Sequence, residues 1–139
     1  MSDQLDMAIA ELKRLSNGKV TKVPLPDDVL LASCEKELGV KFSDEHKRFL
    51  KQVSNVFYGT KDPLTVTASR VFRGELATAL AKARMLGVPH DWLPICEDNG
   101  DYYCIIPSGE IRFWSLDGLS DESWPNLATW IEKVWIGEA

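Results

Sequence analysis

The sequence predicts an α+β fold: a mainly antiparallel sheet wrapped by helices. Three observations carry this. Apolar residues keep helical spacing through much of the first 55 residues. Hairpin signals crowd into residues 93–116. The order of helices, strands, a helix, a meander and a last helix is not a βαβ series. The chain has 139 residues, 45% hydrophobic and 27% charged, a balance that suits one core without staples. Residues 1–139 are expected to form a single domain, with 1–25 an N-terminal helix and connector.

The first helix is read from Leu5, Ala8, Ile9, Leu12 and Leu15, and Asn17-Gly18 stops it. Pro26 at a first helical position, with Asp27 and Asp28 in the first turn, opens a second helix that ends at Gly39. Ser43 caps a third, DEHKRFLKQV, whose His46, Phe49, Leu50 and Val53 share one face. SNVFYG and LTVTASRV have the β-branched and aromatic content of strands. GELATALAKARMLG reads as a helix closed by Gly87, and WPNLATWIEKVWI as a short terminal helix.

Between those two helices lies LPICEDNGDYYCIIPSGEIRFWSL. Asn99-Gly100 is a strong two-residue hairpin signal, because a type I′ turn needs positive φ at both positions. It sets Asp98 opposite Asp101, Cys96 opposite Tyr103, Ile95 opposite Cys104 and Leu93 opposite Ile106. A second tight turn at Ser108-Gly109 would set Ile106 opposite Ile111, Cys104 opposite Phe113 and Tyr103 opposite Trp114. Alternation then sorts Leu93, Ile95, Tyr102, Cys104, Ile106, Ile111 and Phe113 onto a core face. The other face carries Trp92, Pro94, Cys96, Asp98, Asp101, Tyr103, Ile105, Arg112 and Trp114. Its aromatics with a polar rim suit an interface, and either a partner protein or the chain's own helix would cover it.

The net charge of −5 is unevenly spread. Residues 1–90 hold 14 Lys/Arg and 11 Asp/Glu, while 91–139 hold 2 and 10. An acidic last third repels phosphate backbones and draws basic partners, so direct nucleic-acid binding is not expected. The early acids and broken apolar pattern of the N-terminus do not suit a signal peptide, and no apolar run reaches the roughly 18 residues of a membrane span. Three cysteines without a secretion signal read as free thiols in a reducing cytoplasm.

The sequence lacks the spacing of the common catalytic and metal-binding motifs. EDNGD lacks the spacing of a calcium loop, since the twelfth residue from Asp98 is Gly109 rather than Glu. His46 and His90 are isolated from each other and from any metal-ligand pattern. No phosphate-binding or nucleophile-elbow motif occurs, and Cys34 with His46 has no supporting spacing. No catalytic residue, cofactor or metal is therefore expected.

Three segments together resemble the SUKH superfamily. LGVKFSDEHKRFLKQVSN, residues 38–55, is similar to its helix signature of Leu-Gly, a short link and a capped helix with a Phe-Leu pair. WLPICEDNGDYYCIIPSGEIRFW, residues 92–114, resembles its second signature: an Ile strand, an acidic turn, an aromatic-aromatic-Cys strand and a strand ending in an aromatic. SWPNLATWIEKV, residues 123–134, resembles its closing segment. The likeness spans residues 26–136, with Ser43 and Val56 standing where the family usually has Pro and Gly. It implies a non-enzymatic binding protein. Bacterial members are immunity proteins that occlude a cognate toxin, often a nuclease or deaminase; a fungal branch regulates the cell wall as an interaction hub.

The expectation for this chain is a cytoplasmic immunity-type protein, monomeric or weakly dimeric, docking on a basic toxin surface. Trp92, Asp98, Asp101, Tyr103 and Trp114 would anchor, and Glu97, Asp117, Asp121 and Glu122 would steer. The alternative is a regulatory scaffold with endogenous protein partners.

Overall fold

Capping chemistry marks out the helices of the computed structural model, which describes residues 3–118 and 120–139. Helix α1 (Gln4–Leu15) starts at Asp3, whose carboxylate accepts from the Asp6 N–H at 2.9 Å, and it buries Leu5, Ala8, Ile9 and Leu12. Helix α2 (Asp28–Leu38) starts two residues later than the sequence suggests. Asp27 is its cap, accepting from Leu30 N–H at 2.8 Å, and Pro26 lies before the cap. A cap needs an extended backbone and a side-chain acceptor, and Asp27 supplies both. Helix α3 (Asp44–Val53) is capped by Ser43 as expected, and α4 (Leu76–Leu86) closes at Gly87 in the left-handed region. Arg48 on α3 pairs with Asp3 at 2.9 Å and Asp6 at 3.0 Å, so one guanidinium links α3 to the start of α1.

Strands β1 (Leu93–Asp98), β2 (Asp101–Ile105), β3 (Ile111–Trp114) and β4 (Ser123–Trp124) form one antiparallel sheet in chain order. The fold is therefore α+β, as the sequence predicts. The Asn99-Gly100 turn also forms as expected, with φ of 53° and 89°, and places Asp98 opposite Asp101 and Cys96 opposite Tyr103.

Two irregularities correct the rest of the register. A bulge between Pro94 and Cys96 leaves Ile95 without an opposite residue, so Leu93 faces Ile105 rather than Ile106. The second turn has three residues, Pro107-Ser108-Gly109, rather than two. Gly109 N–H donates to the Ile106 carbonyl at 2.9 Å, Ile106 N–H donates to Glu110 at 3.0 Å, and Gly109 has φ 92°. This is a type I turn with proline at its second position and a left-handed glycine closing it. The one-residue change flips β3 against β2. Tyr103 thus faces Phe113, Cys104 faces Arg112, and Tyr102 faces Trp114. Ile111 and Phe113 share the Tyr103 face and not the Cys104 face.

The two strands expected at SNVFYG and LTVTASRV do not form ladders. Isolated bridges join Val20 to Val56, Pro63 to Cys96 and Thr65 to Glu75. Pro63 has no N–H to give, and Gly59 and Arg70 at positive φ turn the chain out of extension. The backbone finds single partners instead, such as Leu64 N–H to Ile95 at 2.8 Å and Thr65 N–H to Gly74 at 2.8 Å.

The terminal helix begins as α5 (Leu127–Trp130), capped by Asn126, and continues as a π-helical stretch, Ile131–Ile136. Its wider turn brings Gly137 against the chain: a Cβ there would run into the Lys133 carbonyl. Trp130 and Trp135 from this helix are wholly buried beside Phe49 of α3, with ring centroids 6.2 and 5.9 Å away. His46, also wholly buried, stands edge-on to Phe42 at 5.0 Å, and its ring nitrogens have no partner. Burial lowers its pKa from 6.5 to about 3.

Gly137→Ala is expected to cost about 1–3 kcal/mol by overpacking, measured by urea unfolding; an unchanged midpoint would contradict the tight backbone approach. His46 stays neutral in the folded chain and protonates once unfolded. The folded state therefore loses stability as pH falls from 6.5 toward 3, by about 1.4 kcal/mol per unit. Between pH 7.5 and 5 the wild type should lose about 2 kcal/mol more than His46→Leu; equal losses would show that His46 is not buried neutral.

Candidate functional site

The residues singled out from the sequence fall into three settings. The first is inside the molecule. Tyr103 is 5% exposed, with ring centroids 4.8 Å from Phe113, 5.6 Å from Trp124 and 5.4 Å from Trp130. The chain's own terminal helix covers this face of the sheet. Burial raises the Tyr103 hydroxyl pKa, and nearby Glu138, Asp98 and Glu122 raise it further.

The second setting is the tip end of the sheet, where most of the acids meet. Asp98 and Asp101 face each other across the first turn. Asp101 Oδ1 accepts from the Leu116 N–H at 3.3 Å, which holds the turn after β3 beside the hairpin tip. Asp117 in that turn is exposed, as are Leu116, Asp121 and Glu122. The Glu122 carbonyl accepts from Phe113 N–H at 3.4 Å, so Glu122 flanks β3. Trp114 is half-buried, paired with Tyr102 on the opposite sheet face from Tyr103. Glu97 is exposed and borders a cleft of about 480 Å³ that Asp62, Leu64 and Arg73 also line.

The third setting holds Trp92 alone. It precedes β1, at the far end of that strand from Asp98, and is half-buried against the core. The fold does not bring it to the acids.

Sequence reasoning missed the cation in the acidic group. Lys61 is only 8% exposed, and its Nζ lies 3.5 Å from Asp98 Oδ2 and 3.6 Å from Glu138 Oε1. It joins the hairpin tip to the end of the terminal helix and offsets the repulsion between Asp98 and Asp101. A buried lysine far away in sequence leaves no periodic signal. Glu97, Asp101, Asp117, Asp121 and Glu122 form no ion pair among the described residues.

The three cysteines are free and buried, and burial raises their thiol pKa values to about 11 for Cys34 and about 12 for Cys96 and Cys104. They remain thiols at neutral pH and are poor nucleophiles. Among the described residues, no three His, Cys, Asp or Glu side chains are grouped to hold a metal ion. No helix among them is long and apolar enough to cross a membrane.

The chain matches the family described as SMI1-KNR4 cell-wall, SUKH_5, over residues 5–136. A crystal structure of a protein from Pseudomonas syringae pv. tomato is similar over nearly all of both chains. It is 34% identical, covers 95% of this chain and 98% of its own, and superposes with a TM-score of 0.85. No curated protein matches the chain.

The Lys61–Asp98 pair is expected to show a coupling of about 1 kcal/mol in a double-mutant cycle of Lys61→Met and Asp98→Asn. Additive effects of the two substitutions on unfolding free energy would contradict the contact.

Proposed function

The chain belongs to the SMI1-KNR4 family of the SUKH superfamily, and on that premise we propose that it is a non-enzymatic binding protein of the immunity type. It acts in the cytoplasm, as a monomer or weak dimer, by docking on a bacterial toxin and occluding its active surface. The target is a nuclease or deaminase whose basic surface otherwise meets nucleic-acid phosphate.

One observation carries this reading. Acids from three separated segments converge on the tip end of the sheet: Glu97, Asp98 and Asp101 on the hairpin, Asp117 after β3, and Glu122 before β4. Among the described residues, only Asp98 of these acids is neutralised, by Lys61. Such a surface raises the encounter rate with a positively charged partner. Leu116, 62% exposed beside these acids, and the half-buried Trp114 supply apolar contact at the same end. Asp121 extends the steering field. Tyr103 supports the acids from behind rather than touching the partner, because Trp124 and Trp130 enclose it.

The family description, which refers to the cell wall, favours a second reading: a regulatory scaffold with endogenous protein partners. The two readings separate on the gene neighbourhood. Co-expression with the product of an adjacent gene should rescue growth and yield a co-purifying complex if that product is a toxin. Absence of both rescue and complex would favour the scaffold.

With the partner in hand, Asp98→Asn with Asp101→Asn should slow association about tenfold at low salt and flatten its salt dependence. An unchanged rate and slope would remove the steering role.

A further inference from the structure

The end of the sheet away from the Asn99-Gly100 tip carries a different chemistry. Two clefts of about 510 and 380 Å³ run together there, sharing Lys41, Asp91 and Leu93. The start of α3 forms one wall, and the β2–β3 turn at Ile106 and Pro107 forms another. Arg84 of α4 lines the smaller cleft.

Cationic side chains outnumber carboxylates along this joined cleft. His46 lines it, is wholly buried, and has no hydrogen-bond partner on either ring nitrogen. Arg84 Nε is buried without a partner, although its Nη2 donates to the His90 carbonyl at 2.9 Å. Two residues that carry orphaned buried nitrogens therefore border one place. Lys41, Lys47 and Arg84 form no ion pair among the described residues. Helix α3, ten residues long, adds the free N–H groups of its first turn, since the Ser43 hydroxyl takes only His46 N–H.

We infer that this joined cleft binds a small organic oxyanion, a carboxylate or phosphate carried on an apolar body. Arg84 and Lys47 would meet the oxyanion first. Phe42, Leu93, Ile105 and Pro107 line the same space and would hold the apolar part. Asp44 and Asp91 line it too, so three cations face two acids. That balance favours a compact anion over a polyanion. The His46 ring has no surface open to water, so contact with it requires the Phe42 ring beside it to give way. A bound anion would then favour imidazolium and raise the histidine's pKa from its lowered value.

The site is separate from the acidic end of the sheet and stands or falls independently of the partner. Benzoate, phenyl phosphate and inorganic phosphate would each be titrated into the full chain. The readouts are thermal midpoint and the NMR signals of the His46 ring. At least one organic probe should raise the midpoint saturably and shift the His46 signals, with inorganic phosphate weaker for want of an apolar body. Arg84→Gln and Lys47→Ala should each weaken binding about tenfold, the loss of one charge-assisted hydrogen bond. Lys22→Ala, away from the cleft, should leave it unchanged. No response to any probe at millimolar concentration, or the same response in the variants as in the wild type, would overturn the inference.

Discussion

The structure depends on the aromatic seam between the terminal helix, α3 and the sheet. Trp130 lies 6.1 Å from Trp135, 6.2 Å from Phe49 and 5.4 Å from Tyr103, so one side chain touches all three layers. Aromatic pairs at these separations contribute about 0.5–1.5 kcal/mol each beyond their buried area. Trp135 also donates from Nε1 to the Tyr58 carbonyl at 3.0 Å, which fixes the segment leading to Lys61. The seam decides what is left for function. With the Tyr103 face of β2 taken by the chain's own tryptophans, the aromatics there are core. On the proposed reading, a partner meets the rim at the hairpin tip, where the acids stand.

Charge is sorted along the sheet rather than across it. At the tip, β1 ends and β2 begins with Asp98 and Asp101, and Lys61 is the cation set between Asp98 and Glu138. At the other end, β1 begins after Asp91, β2 leads into Ile106, and Lys41, Lys47 and Arg84 gather. Three cations from the first 90 residues thus stand at the opposite end of the sheet from Asp98 and Asp101. A basic partner at one end and a small anion at the other would meet little mutual interference, because salt screens charges over about 8–10 Å.

Features fixed by short-range chemistry were legible in the sequence. Asn99-Gly100, the Ser43 cap, and the glycine stops at Gly39 and Gly87 each declare themselves within a few residues, and all formed. The β2–β3 turn was legible too, but Pro107 carries its signal: proline at the second turn position with glycine two residues on marks a three-residue loop. The bulge at Ile95 is different. It arises where Leu64 and Pro63 pair with the outer edge of β1, a contact between distant segments. The missing strands at 54–59 and 64–71 follow the same rule, since strand formation needs a neighbour in register and not only β-branched residues. Of the site, the acids were visible, but Lys61 and the enclosure of Tyr103 required the tertiary fold.

If the seam closes the second sheet face, the proposed partner contact is confined to the acidic tip. Amide hydrogen exchange of the chain alone and in its co-purified complex distinguishes a closed face from an open one. New protection should appear at 97–101 and 115–118, while 102–105 and the terminal helix exchange slowly in both states. Fast exchange of 102–105 in the free chain that slows only in the complex would contradict it, because the face would then be open and its aromatics would be the docking surface.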